Sequence, residues 1–376
     1  MLKKKVLHIS KYYPPYKGGL EDVCKSVVDC LSEYENKVIC FNSTTKDEVS
    51  FVDGVEVVRL GIFANVSSQP LSFSFMINLK RMLDEFKPDV VHLHLPNPYA
   101  AFAVSLFLKD GVKLIVHWHS DIVKQKYLYF FFAPIENKVL ERADAIFVTS
   151  PNYLKDSAPL QRYEDKCVIV PNGISESKVV PKDDCEQLVQ RIREKFGNKD
   201  IVYFMGRHVP YKGIEYLIMA EQYVKSDCVF VIAGGGPLTD DLKKKCEGIE
   251  RIKFVGVVPD DEICGYMKAA SVFAFPSITK NEAFGVVLAE AMFLRLPAVT
   301  FTIPGSGVNW VCVNEETGIE VPNRDFKAFA AAIDRLLADD ELRDRLADNA
   351  YSRIRDNFTM TKVKSIVNRE YDKILS

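Results

Sequence analysis

The 376-residue chain contains no apolar run of the ~18–20 residues needed to cross a bilayer, which excludes a polytopic membrane protein. It lacks an excess of either charge. A formal net charge of -2 and a pI near 6.4 give no basic surface on which nucleic acid would be the main partner. It has no C-x-x-C. The nine cysteines (24, 30, 40, 167, 185, 228, 246, 264 and 312) are odd in number and irregular in spacing. Free thiols in a reducing cytoplasm are expected rather than a disulfide framework or a zinc site. Only a short β-like stretch follows the basic start, so no secretory segment is expected either. The phosphate-binding fingerprints are also missing. Two prolines stand where the first strand would turn into G-x-G-x-x-G. The third glycine after Gly234-Gly235-Gly236 would fall at Thr239, and no Walker-A sequence occurs. An NAD oxidoreductase and a P-loop NTPase are both excluded on this pattern.

What remains is the composition of a folded globular chain, 48% hydrophobic and 27% charged, and long enough for two domains. Short β-like runs alternate with amphipathic ones. Strands are predicted at 5–9, 37–41, 56–60, 89–94, 113–118 and 145–149, with helices at 20–31, 73–86, 99–108 and 133–142 between them. A polar stretch at 175–184 breaks the pattern and reads as a linker. The alternation then restarts, with strands at 200–205, 228–233, 252–255, 272–275 and 297–301. Helices are predicted at 213–224, 238–246, 260–268, 286–294, 326–337 and 361–375. Buried strands separated by helices of this length make parallel sheets with right-handed crossovers. The fold class is therefore α/β, with two Rossmann-like doubly wound domains.

Two clusters carry chemistry. In the first, Glu282 and Glu290 flank Gly285. On one continuous helix they would lie about 12 Å apart. A loop ending at Gly285 and a helix starting at Val286 would instead curl Glu282 over a helix N-terminus, whose free N–H groups form an anion site. An anion beside two hydroxyl-binding carboxylates suggests a phosphorylated sugar. In the second cluster, Gly206-Arg207 ends a strand and Lys212-Gly213 opens a helix. Both cations then sit at the carboxyl edge of a parallel sheet, where they can hold a departing diphosphate. His117 and His119 fall on one side of the strand 113–118. His119, at its end, is positioned to donate to a sugar hydroxyl or to developing charge, whereas His117 and His94 read as structural. Asp121 either orients His119 or caps the next helix.

These motifs, together with Gly18-Gly19, Pro171-Asn172-Gly173, Gly234-Gly235-Gly236-Pro237 and Phe254-Val255-Gly256, occur in an order that resembles glycosyltransferase family 4 across nearly the whole chain. The resemblance implies a retaining GT-B enzyme with two domains facing across a cleft. An N-terminal acceptor-binding domain would span 1–175, with a C-terminal helix 359–376 crossing back to it. A C-terminal domain, 185–358, would bind a nucleoside-diphosphate sugar. It implies that Arg207 and Lys212 bind the diphosphate, Glu290 the ribose and Glu282 the transferred sugar. The backbone of Phe284, Gly285 and Val286 would lie close to sugar and phosphates. Gly19 would approach the diphosphate from the other domain, while Val257 and Val258 bracket the base. His119, followed by Ser120-Asp121, matches a histidine of that family.

No D-x-D occurs, so no metal and no other cofactor is expected. The expected reaction moves a hexosyl or deoxyhexosyl group to a glycan or lipid-linked glycan acceptor. Cell-surface polysaccharide or lipopolysaccharide assembly is the setting, with a mannosyl or rhamnosyl lean. A GT-B epimerase and a non-catalytic nucleotide-sugar-binding module are the rival readings. Residues 124–132, two lysines followed by six apolar or aromatic residues, read by default as a buried helix. The rival reading is a peripheral contact with the inner face of the cell membrane.

Overall fold

The structure is a computed structural model and describes residues 3–16, 18–66, 69–122, 126–179 and 185–376. Half of the expected linker, 180–184, and Lys124 and Gln125 of the aromatic segment lie outside the described residues. The chain divides into two compact units. One comprises Met1–Asn172 with Val363–Ser376, the other Gly173–Lys362.

The first unit is built on an eight-stranded sheet. Its order is Cys167–Ile169, Ala145–Val148, Lys113–Trp118, Val90–Leu95, Lys5–Ile9, Glu35–Phe41, Val55–Leu60 and Glu48–Val52. All neighbours are parallel except the last pair. That pair is a hairpin the hydrophobic pattern did not predict. Its turn is Asp53-Gly54, with φ of 48° and 81°, the left-handed pair that a tight hairpin twist requires. Strand order reverses between Lys5–Ile9 and Val90–Leu95, and this is where an open α/β sheet opens a crevice at its carboxyl edge. The interior strands are buried on both faces, and one face carries histidines; Val90–Leu95 is buried at every position, His92 and His94 included. The final helix, Met360–Leu375, leaves the second unit after Lys362 and buries Val363, Val367 and Tyr371 within the first.

The second unit carries a six-stranded, wholly parallel sheet. Its order is Ile252–Gly256, Cys228–Ala233, Asp200–Met205, Val272–Phe275, Ala298–Phe301 and Gly318–Val321. This is the 3-2-1-4-5-6 order of a dinucleotide-type fold. The switch point therefore lies between Asp200–Met205 and Val272–Phe275. Gly318–Val321 and the helices Cys185–Lys195 and Asp340–Asn357 belong to the unit beyond the predicted elements. Phe204, Phe230, Phe273 and Phe275 are fully buried along the central strands. All nine cysteines are free thiols. No helix among the described residues is long and apolar enough to cross a membrane.

Candidate functional site

The switch point of the second unit brings together two loops some seventy residues apart in sequence. After Asp200–Met205 the chain runs through Gly206 and Arg207 into a single turn, Pro210–Lys212, and then the helix Ile214–Glu221. Gly213 has φ 62°, and a Cβ there would stand 2.1 Å from the Pro276 carbonyl oxygen. Only glycine permits this approach. It seats the Lys212 turn against the end of Val272–Phe275, where the Ile278 amide donates to the Tyr211 carbonyl at 2.9 Å. Gly234 is similarly constrained: φ is 114°, and a Cβ would lie 1.9 Å from the Gly206 carbonyl oxygen. Gly234-Gly235-Gly236 thus serves close packing of backbone against the Arg207 loop.

Lys212 and Glu282 meet at 2.5 Å, with side chains only 10% and 11% exposed. Sequence reasoning gave them separate roles; the fold makes them partners. Ser277 Oγ donates to the same Glu282 oxygen at 3.2 Å. The Lys212 ammonium also lies 5.1 Å from the Phe275 ring centre. The Glu282 backbone carbonyl accepts from Ser306 Oγ, so the residue is held at its backbone as well as at its carboxylate. The expected break in the glutamate segment is present. Gly285 takes φ 85° and precedes the helix Val286–Phe293. Its first amides have no acceptor in the preceding turn and form a positive end.

Other candidates differ in setting. Arg207 is exposed, with no ion pair among the described residues. Val257 is 78% exposed and Val258 buried. Glu290 is half-buried on the helix after Gly285. Phe284 is a core residue, 1% exposed, packed on Trp310 and Phe358, so only its backbone can serve a ligand.

In the first unit Gly18 caps the helix Gly19–Cys30. A Cβ on Gly18 would meet the Glu21 carboxylate at 2.3 Å, whereas one on Gly19 would meet nothing within 4 Å. Gly19 therefore leaves its backbone open to approach. Glu21 and Asp22 occupy the same first turn, and their charge works against a second anion there.

His119 follows Lys113–Trp118 and is 9% exposed. Its Nε2 lies 2.9 Å from Nδ1 of His94. His94 and His119 stack at 5.2 Å, and His117 and His119 at 4.4 Å. His92 joins the column through His117 at 3.3 Å and the Tyr371 hydroxyl at 2.7 Å. Strand alternation anticipated one shared face; it did not anticipate the histidines contributed by the neighbouring strand. Burial pushes His119 down to about 3 and His8 to about 4, and holds His92, His94 and His117 well below the ordinary value. His119 is thus a neutral imidazole whose ring is set by His94. Asp121 accepts from Trp118 Nε1 at 3.0 Å and Ser157 Oγ at 2.7 Å, fixing the turn after the strand.

One acid escaped the sequence reading. Glu136, 2% exposed, accepts the Tyr129 hydroxyl at 2.6 Å, and burial raises it to about 7. Its signal was a carboxyl directly after the apolar run 130–135. The aromatic segment itself corrects the default reading. Phe132 is buried, but Phe130 and Phe131 are 76% and 75% exposed.

Two parallel-sheet α/β units, the second with a basic and acidic switch-point site, define a GT-B glycosyltransferase. Family models agree in both halves: Glycosyltransferase Family 4 matches residues 17–178, and Glycosyl transferases group 1 matches residues 187–353. The chain belongs to this family. It is 28% identical to the O-antigen chain mannosyltransferase C of Escherichia coli over 94% of each chain. It is 29% identical to the D-rhamnosyltransferase WbpZ of Pseudomonas aeruginosa, over 94% of this chain and 92% of the relative. Among solved structures, sucrose-phosphate synthase from Thermosynechococcus elongatus superposes with a TM-score of 0.80, 20% identity and 99% coverage of both chains. Anabaena HepE in complex with UDP and glucose gives 0.79 and 16% identity, covering 98% of this chain and all of the other.

Proposed function

We propose that this enzyme moves a mannosyl- or rhamnosyl-type group from a nucleoside-diphosphate sugar to a hydroxyl of a glycan or lipid-linked glycan, with retention, in cell-surface polysaccharide assembly. The full-length similarity to the mannosyl- and rhamnosyltransferases supports the substrate class. The observation that carries the mechanism is the Lys212–Glu282 pair beside the Gly285 helix start. Lys212 and Arg207 neutralise the diphosphate as the C1–O bond breaks. Glu282 holds the sugar's hydroxyls and Glu290 the ribose. His119, neutral, hydrogen-bonds the sugar. The acceptor hydroxyl attacks the face the diphosphate leaves and passes its proton to a departing phosphate oxygen, so no side-chain nucleophile is needed. A covalent glycosyl group trapped on Glu282 would overturn this route.

Protein cations take the place of a bridging metal in this scheme. Turnover should be unchanged in EDTA and unstimulated by Mg2+ or Mn2+; loss in EDTA with restoration by Mn2+ would refute it. Thermal-shift screening with UDP-, GDP- and dTDP-sugars identifies the donor, since a ligand bound only by the folded state raises its melting point. At 100 times its Kd the donor adds about 2.7 kcal/mol.

Peripheral membrane contact belongs to the same reading. Phe130 and Phe131 present adjacent exposed rings, the kind of side chain that inserts at an interface. In liposome flotation at low salt the wild type should rise with anionic vesicles, and a Phe130→Ser, Phe131→Ser variant should stay at the bottom. Equal flotation of both would assign these rings another role.

A further inference from the structure

The first unit buries a cation that the mechanism above does not use. Arg59, near the end of Val55–Leu60, is 3% exposed. Its two terminal nitrogens donate to Ser50 Oγ and the Pro14 carbonyl, both neutral. Its Nε is buried with no partner. No carboxylate lies within ion-pair distance among the described residues, although Glu48 faces Arg59 across the hairpin ladder. A guanidinium offers five donors, so three N–H groups and a full positive charge remain uncompensated in a desolvated place. Such a charge is strongly unfavourable unless something negative reaches it.

A cavity of about 400 Å³ adjoins it, lined also by Tyr16, Asn42, Glu48 and Phe51. Asn42 follows the strand Glu35–Phe41, and Arg59 lies one residue from the end of its neighbour. The cavity therefore begins at the carboxyl edge of this unit's parallel sheet, the edge at which open α/β folds bind ligands, and extends along the hairpin strand Glu48–Val52. It lies in the first unit and is separate from the residues at the second unit's switch point.

We propose that Arg59 is the anchor of an acceptor subsite that takes an anionic group, a phosphate or a sugar carboxylate, on the molecule being glycosylated. This rests on the transferase reading, with the first unit as the acceptor side. A guanidinium's planar fork matches both oxyanions and holds either with charge-assisted hydrogen bonds. Phe51 and Tyr16 supply flat apolar surface for a sugar ring beside it.

The full-length protein is titrated with inorganic phosphate and, separately, with glucuronate. Wild type should bind at least one of them at Arg59, and Arg59→Gln should weaken that binding about ten-fold or more, the worth of a hydrogen bond to a charged group. Arg207→Ala should leave this binding intact, which separates the subsite from the donor site. Glu48→Gln should keep or tighten it, because it removes a competing negative charge. Preference for phosphate marks a phosphate-bearing acceptor; preference for glucuronate marks an acidic sugar. The bound ion should inhibit transfer competitively against acceptor and not against donor. Tungstate soaked into wild-type crystals should appear beside Arg59, a readout independent of how the variants fold. Anion binding indifferent to Arg59→Gln, inhibition competitive only with donor, or tungstate absent from the cavity would each overturn the proposal.

Discussion

At pH 5 the first unit should be markedly less stable than at pH 7. Its five buried histidines, His8, His92, His94, His117 and His119, are all held neutral by burial. Once unfolded, each titrates near 6.5. Between 6.5 and the lower folded values, about 4 for His8 and about 3 for His119, the unfolded chain binds more protons than the folded one. Stability from this source is therefore complete above 6.5 and is lost as the pH falls. Each group loses about 1.4 kcal/mol per pH unit below 6.5, so His8 and His119 together cost about 4 kcal/mol by pH 5, and His92, His94 and His117 add to the loss in the same direction. That is a large part of the whole stability of an ordinary domain, about 5–15 kcal/mol. Among the described residues the column's surroundings offer Asn36, Tyr371 and Cys24, and no carboxylate is recorded against it that could offset the charge. Melting temperature followed from pH 7.5 to 4.5 should fall steeply below 6.5. A flat profile would show that the column takes up protons without unfolding.

Lys212→Ala and Arg207→Ala should abolish most activity, yet part company in stability. Each removes a cation from the departing diphosphate and should cut kcat by about 10²–10³, the usual loss for one stabilising donor. Lys212→Ala also strands Glu282 in a site where both side chains are nearly buried. Removing one member of such a pair costs about 3–5 kcal/mol, a melting shift on the order of 10 °C for a unit of this size. Arg207 is exposed and holds no partner among the described residues, so Arg207→Ala should melt within about 2 °C of wild type. A double variant, Lys212→Met with Glu282→Gln, should recover stability but not turnover. Wild-type rates in the two alanine variants would place the diphosphate elsewhere.

Most strands of both sheets were legible because a parallel strand covered on two faces must be a short continuous apolar run; the short outer strands Cys167–Ile169 and Gly318–Val321 were not. The run 228–233 coincides with Cys228–Ala233. Gly285 was legible as a break because a helix through it would have thrown its two glutamates apart. The hairpin strand Glu48–Val52 was not, since an edge strand with one wet face carries little apolar signal; Asp53-Gly54 was the clue. Neither the Lys212–Glu282 contact nor the His94–His119 contact could be read from spacing. Each depends on which strands are neighbours, and sheet order is a property of the whole unit. Glu136 was hidden for a different reason: a carboxyl's burial depends on what packs over it, and a single sequence does not display that.

Residues 173–362 form an uninterrupted length of chain, whereas the first unit needs 363–376 to close. Tyr371, from that last segment, is fully buried and supplies the hydroxyl bonded to His92. During synthesis, then, the half that emerges first from the ribosome is finished last. Until the closing helix arrives, the nascent chain carries its eight-stranded sheet without one of its covering helices and His92 without its Tyr371 partner, while the later half can already have folded behind it.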